Sequence, residues 1–226
     1  MNKPTDNLDS IAEQIRLHLS AKDATREKAL PLCREVIRHC SNAIRAIHRQ
    51  EFDQAEELLQ SAHNLQSEIM QALADWEELR NAGFVRDAQK EFAEGSITLA
   101  LVTQRQIPAP DELGIDPAAY LNGLGEAVGE IRRYLLDNMR RGDLSRGEEL
   151  LEAMDNIYST LVTMDFPDAI TSGLQRTTDM VRGILEKTRG DLTLTVRQKD
   201  LEAKLRAFQQ KNTNHAGTDS PDAQPQ

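Results

Sequence analysis

Apolar residues recur along this chain at intervals of three and four, and the stretches that show this pattern are separated by short polar or proline-bearing joints. The pattern is clearest from Ala24 to about Gln50, where Val36, Cys40, Ala43, Ile44 and Ile47 fall on one side of a helical wheel. A weaker helix precedes it from about Leu8 to Ser20, capped by Asp6 or Asn7, and Pro31 predicts a kink or a new N-terminus. A third helix is expected from about Phe52 to Leu79, on Ala55, Leu58, Leu59, Ala62, Leu65, Ile69 and Leu73. Gly83 punctuates the chain before a fourth, Phe84 to about Gln104. Pro108 and Pro110 make the next stretch a loop, and Asp116-Pro117 supplies an N-cap followed by proline at the first helical position. The fifth helix then runs to Arg141, where Gly142 stops it. Ser145 is expected to cap a sixth ending near Asp165, and Gly190 to stop a seventh that begins at Asp168.

These elements predict an all-α, up-and-down bundle of about seven helices over residues 1–190, with a charged helical extension at 191–209. Residues 210–226 hold no core-forming side chains and are expected as a disordered tail. Long helices with narrow apolar faces pack into a slab, so leftover apolar surface is expected to go into contacts between copies of the chain.

Composition sharpens this picture. Aromatic residues make up 4% of the chain, which argues against sheet. No apolar run approaches the roughly 18 residues needed to span a bilayer, and the first residues lack the apolar stretch of a signal peptide. A cytoplasmic protein with no membrane partner is expected. Cys33 and Cys40 are seven residues apart, which is roughly 10 Å of helical rise and too far to bridge, so they read as buried thiols.

Most chemical motifs are missing. The chain has no glycine-rich phosphate loop, and none of its five histidines follows a glutamate by three residues, which removes a ferritin-like di-iron site. Two cysteines without a histidine cluster argue against structural zinc. What remains is a set of acids. Glu91 and Glu94 lie one turn apart and border an apolar arc of Phe84, Ala88, Gly95 and Val102, with Leu101 on the other side. Glu126 and Glu130 are spaced i, i+4 in a glycine-containing stretch that lets another backbone or a ligand come close, and Asp155 sits at the edge of its helix's apolar stripe. Converging acids from three helices suit a hard divalent cation. Spacing alone leaves open that they are ordinary solvated side chains among 37 acids.

A second feature is basic. Arg34, Arg38, Arg45 and Arg49 share an arc of about 60°, with Ser41 and His48 beside them. In a chain of net charge −10 such a stripe points to an anionic partner such as nucleic acid, or to a face matched by acids of a neighbouring helix.

Three segments, Gly114-Ile-Asp-Pro-Ala-Ala-Tyr-Leu-Asn-Gly123, Val128-Gly-Glu-Ile-Arg-Arg133 and Arg141-Gly-Asp-Leu-Ser-Arg146, together with Lys90-Glu-Phe-Ala-Glu-Gly95 upstream and Thr188-Arg-Gly190 downstream, resemble the translin superfamily. The resemblance spans about residues 25–190 and is nearer to prokaryotic relatives of translin-associated factor X (TRAX) than to translin. It implies a hollow homo-octamer that binds single-stranded RNA or DNA inside and cleaves RNA with Mg²⁺ or Mn²⁺. The family's glutamate pair falls on Glu91 and Glu94, its next acid on Glu130, and Glu126 stands where TRAX is also acidic. The TRAX aspartate after a tyrosine is Ser159 here, and Asp155, one turn earlier, is expected to replace it. The function this implies is a Mg²⁺-dependent endoribonuclease, with Glu91, Glu94 and Asp155 holding the ion and Glu130 directing water. A non-catalytic translin-like shell and a purely structural helical scaffold remain the alternatives.

Overall fold

The computed structural model describes residues 4–216, with side chains as far as Lys211, and these residues contain helices and no strand. The helices are α1 (Leu8–His48), α2 (Phe52–Ala72), α3 (Glu77–Arg80), α4 (Gly83–Val102), α5 (Pro110–Leu113), α6 (Pro117–Arg140), α7 (Gly147–Val162), α8 (Asp168–Thr171) and α9 (Leu174–Ala216). The all-α bundle expected from the periodicity is therefore what forms. No helix among the described residues is long and apolar enough to cross a membrane.

The boundaries depart from expectation at several places. The first two expected helices are one, and α1 runs straight through Pro31. Pro31 and Glu27, whose carbonyl loses its partner there, are both exposed, so water can satisfy the orphaned oxygen. The opposite side of the same turns buries Ala29, Cys33 and Val36, and that packing holds the helix together. The third expected helix ends early, at Ala72, and a turn carries Trp76 to a ring contact with His18, 5.1 Å between centroids. Arg146, not Ser145, stands at the N-cap of α7. Ser145 gives its backbone N–H to Asp143 at 2.9 Å, while the Arg146 guanidinium donates to the carbonyls of Val102 and Leu101 at the end of α4.

Gly190 stops nothing. Its φ is not positive, and α9 continues to Ala216, into the segment expected as a tail, whose remaining residues 217–226 lie outside those described. Gly142, at φ 84°, does end α6 as expected.

Two three-helix groups share one central contact. α1, α2 and α4 pack together, α6, α7 and α9 pack together, and between them α4 runs alongside α6 in the same direction, Gln89 near the start of one beside Asp116 at the start of the other and Val102 at the end of one beside Arg146 just past the end of the other. Glycine permits that approach: a Cβ on Gly123 would sit 2.6 Å from both the Ala93 Cβ and the Lys90 carbonyl oxygen. On the α9 side, Arg132 of α6 donates to Thr188 at 2.9 Å and to Asp191 at 2.7 Å. Buried Asn122 donates to the carbonyls of Ala118 and Thr171 and accepts from Thr177 at 2.7 Å.

Two substitutions check this arrangement by urea unfolding. Gly123→Ala is expected to lose about 1–3 kcal/mol, because the added methyl meets backbone that cannot yield. Gly190→Ala is expected to gain about 0.5–1 kcal/mol, because a Cβ there meets nothing and the helix continues through it. Loss of stability in the second variant would mean that Gly190 adopts a helix-ending conformation after all.

Candidate metal centre

The contact at Gly123 sets the geometry of the acidic group. The Glu94 backbone nitrogen lies 3.1 Å from the Cβ position of Gly123, so α4 and α6 are locked where Glu94 and, one turn along α6, Glu126 face each other. Glu91 lies one turn before Glu94 on the same face. One carboxylate oxygen from each of Glu91, Glu94 and Glu126 comes within 4.8 Å of the others. These three are brought together as the sequence suggested.

Burial and mutual repulsion dominate their electrostatics. Glu94 is 9% exposed and has no ion-pair partner among the described residues. Its carboxyl is pushed up to about 8, by burial first and then by the charges of Glu91, Glu126 and Glu130, with Lys90 opposing. Glu91 is raised as well, again chiefly by burial, with the Lys90 charge working against Glu126, Asp87 and Glu130. Lys90 donates from Nζ to Glu126 at 2.8 Å. Partial burial pulls the ammonium down, but the hydrogen bond and charge of Glu126 outweigh it and leave the Lys90 pKa raised. Cys40, buried on α1, is held as the neutral thiol by burial and by Glu91 and Glu94, so it is no thiolate ligand.

Glu130 stands beside this group with a separate partner. Its Oε2 lies 2.5 Å from His48 Nε2 and 3.7 Å from Arg133. The His48 side chain is 6% exposed, so it turns inward to Glu130 and does not belong to the arginine stripe with which the sequence grouped it. Asp155 also departs from expectation. Leu150, Met154, Ile157 and Leu161 face the core from α7, and Asp155 turns half-exposed to Arg189 of α9 at 2.8 Å, away from the other acids. Ser159, one turn on, is exposed.

Arg34, Arg38, Arg45 and Arg49 are exposed along α1. Arg38 pairs with Glu35 on its own helix at 2.6 Å, Arg45 with Asn42 at 3.2 Å, and Arg49 with Glu51 at 3.9 Å. Apart from Glu51, which stands at the N-cap of α2, no acid of a neighbouring helix pairs with this stripe among the described residues.

The structure adds a cationic cleft that the sequence reading missed. A cavity of about 680 Å³ opens between α4, α6 and the start of α9, and the cations Arg86, Lys90 and Arg176 line it together with the acids Asp87 and Glu126 and with Asn122 and Thr177. Arg86 and Lys90 are spaced i, i+4 on the helix that carries Glu91, a signal present in the sequence. Arg176 arrives only through the tertiary fold. Oxygen-only donors around a buried, uncompensated carboxyl fit a hard divalent cation such as Mg²⁺ or Mn²⁺, and the neighbouring guanidinium groups fit an anion.

No family model matches the chain. A protein of Methanocaldococcus jannaschii, itself uncharacterised, is 31% identical over 195 residues, which cover 85% of this chain and 86% of that one. The crystal structure of AfC3PO is likewise 31% identical, with a TM-score of 0.76 over 83% of this chain and 97% of its own. The same figures hold for a structure of AfC3PO in complex with duplex RNA. Apo-NeC3PO, at 18% identity and a TM-score of 0.72, shares the fold. C3PO structures are of the translin and TRAX type, and with this identity over most of both chains, on the all-α bundle described above, the chain belongs to the translin superfamily.

Proposed function

We propose that this protein binds RNA and is a Mg²⁺-dependent endoribonuclease acting on single strands within a homo-octameric shell. The observation that carries the reading is the juxtaposition of three carboxylates within 4.8 Å of one another and a cleft lined by Arg86, Lys90 and Arg176. The duplex RNA complex of AfC3PO supports RNA as the ligand class. A cleft of about 680 Å³ suits a few nucleotides of one strand, and single-stranded DNA offers it the same phosphates.

Glu91, Glu94 and Glu126 would hold the ion. A divalent cation supplies, when bound, positive charge for phosphodiester hydrolysis. The chain's own residues do the rest. Glu94 would release its proton to solvent when the ion is held, and Lys90 would pass from Glu126 to a substrate phosphate. Arg86 and Arg176 grip the strand by phosphates. Glu130, held by His48 Nε2, takes a proton from the attacking water. Asp155, paired to Arg189, has no part. One observation favours a second reading, a non-catalytic shell that binds single strands: the Lys90 ammonium already neutralises Glu126.

Cleavage of a labelled single-stranded RNA with Mg²⁺ or with EDTA separates the two. Glu91→Gln and Glu94→Gln are each expected to lose at least about a hundredfold in metal-dependent rate with unchanged particle mass, and Asp155→Asn to retain activity, on the scale typical of lost metal ligands. Full activity in both glutamine variants would rule out the assignment.

Glu94 also fixes the sign of a pH effect. Its carboxyl holds a proton to about pH 8 in the folded chain, whereas the ordinary value, met on unfolding, is 4.5. The folded state therefore binds the extra proton between these values, and the stability of the metal-free protein falls as pH rises from about 4.5 through 8. Glu94→Gln keeps the neutral form, so it should melt higher than the parent at pH 8.5 and much like it near pH 4. Mn²⁺ at pH 8.5 should raise the melting temperature of the parent and not of the variant. A variant that melts lower than the parent at pH 8.5 contradicts this.

Salt dependence locates the phosphate contacts. Arg86→Ala with Arg176→Ala is expected to flatten the slope of log K against log salt by about 1.4, at roughly 0.7 per contact for single strands. Arg38→Ala with Arg45→Ala should do the same if the α1 stripe faces the strand, and an unchanged slope removes the stripe from binding.

A further inference from the structure

The three clustered carboxylates are not equally available to an ion. Glu94 is buried with no ion-pair partner among the described residues, whereas Glu126 already accepts a hydrogen bond from Lys90 Nζ at 2.8 Å. The Lys90 and Glu126 side chains are 27% and 30% exposed, so most of the pair is out of water, where breaking it costs more than at an open surface. The helices cannot give way to part the two. A Cβ on Gly123 would sit 2.6 Å from the Lys90 carbonyl oxygen, so the backbone under Lys90 is packed against α6 and any exchange is left to the flexible lysine stem.

The charges around that stem decide where the ammonium goes. The cleft of about 680 Å³ sets Arg86, Lys90 and Arg176 against Asp87 and Glu126. Neither Arg86 nor Arg176 has an ion-pair partner among the described residues, and Arg86 donates instead to the Ser172 hydroxyl at 3.1 Å. Glu91, another acid close to Lys90, is itself one of the clustered three. Once Glu126 is committed to a cation, the positive side chains of the cleft face Asp87 alone, and the ammonium stands beside a second positive centre. Repulsion then works against loading. A strand in the cleft reverses the balance, because its phosphates bring back the negative charge that Glu126 has withdrawn.

We infer that Lys90 locks the metal centre and that strand phosphates release the lock: by drawing the ammonium off Glu126 they free the third carboxylate, so cation and strand each bind more tightly in the other's presence. The inference rests on the cation and strand sites proposed above and adds their regulation. Reciprocity follows from linkage, since the factor by which a strand strengthens cation binding is also the factor by which the cation strengthens strand binding. The empty protein holds the ion weakly and takes it up with its substrate.

Mn²⁺ binding to the full chain, read from the electron paramagnetic resonance of free Mn²⁺, tests this without any cleavage. A single-stranded DNA is the phosphate-bearing probe, its uncharged methylphosphonate counterpart is the control, and Mn²⁺ held by the DNA alone is subtracted. The parent is expected to bind Mn²⁺ at least about tenfold more tightly with the DNA than without it, and no more tightly with the control. Lys90→Met is expected to bind Mn²⁺ alone about tenfold more tightly than the parent, with the effect of DNA reduced to about threefold or less, the remainder being direct attraction between ion and phosphate. Lys90→Arg keeps the charge and the hydrogen bond and should restore the dependence on DNA. Tighter binding in the one variant and restored dependence in the other form a pattern that lost packing does not produce. Equal Mn²⁺ affinity of the parent with and without DNA, as when Asp87 takes up the ammonium, overturns the lock and leaves the metal centre standing. Full dependence on DNA in Lys90→Met overturns it too, by placing the coupling in the ion and the phosphates alone. Mn²⁺ bound by neither parent nor variant, with or without DNA, removes the metal centre itself and the lock with it.

Discussion

Everything chemical in this molecule depends on how closely α4 and α6 approach at Gly123. A side chain there would collide with the Ala93 methyl and the Lys90 carbonyl, so only glycine lets two backbones meet at this depth. The approach carries Glu94 out of water and sets it against Glu126, while Glu91 follows one turn away. The acids do not attract one another, and their proximity is imposed by packing on both sides of the pair. α1 and α2 press on α4, and α7 and α9 press on α6. The fold thus stores an electrostatic cost in the middle of its core, visible as a Glu94 carboxyl that stays protonated to about pH 8. The proposed divalent cation would relieve that cost.

Charge is arranged in layers around this point. The chain as a whole carries −10, which would repel a polyanion at long range. At short range, Lys90 sits against Glu126 while Arg86 and Arg176 flank the cleft, so cationic side chains stand at the rim of the anionic centre. Lys90 occupies a pivotal place in this arrangement, since its ammonium cancels the charge of Glu126, one of the three clustered acids. His48 plays the corresponding part for Glu130, whose nearest neighbours are an imidazole and an arginine and not the other acids.

The helices were legible in the sequence because apolar spacing survives as a period wherever one face is buried. Pro31 and Gly190 misled because their local preferences were weighed without the packing around them: α1 is held by its buried side at Pro31, and Gly190 follows Leu185 and precedes Leu192, both buried. Of the site, Glu91 and Glu94 were legible as a pair one turn apart beside an apolar arc, and Glu126 as an acid among glycines. Asp155 stood out at the edge of its helix's apolar stripe, and the resemblance then made it the substitute for an aspartate this chain lacks. Its helix buries a different face, and Arg189 lies 34 residues further along the chain, where spacing gives no hint of the pair. His48 looked like part of a basic stripe because a wheel shows direction on one helix and not what stands opposite. Arg176 lies far along the chain from Glu91 and became visible only when α9 packed against α6.

Anomalous diffraction from crystals grown with Mn²⁺ tests the central assignment most directly. The expected result is a single strong peak per protomer with oxygens of Glu91, Glu94 and Glu126 around it and the Lys90 ammonium displaced from Glu126. A peak beside Asp155, or Lys90 still bonded to Glu126 with no manganese near the three glutamates at saturating concentration, would contradict it.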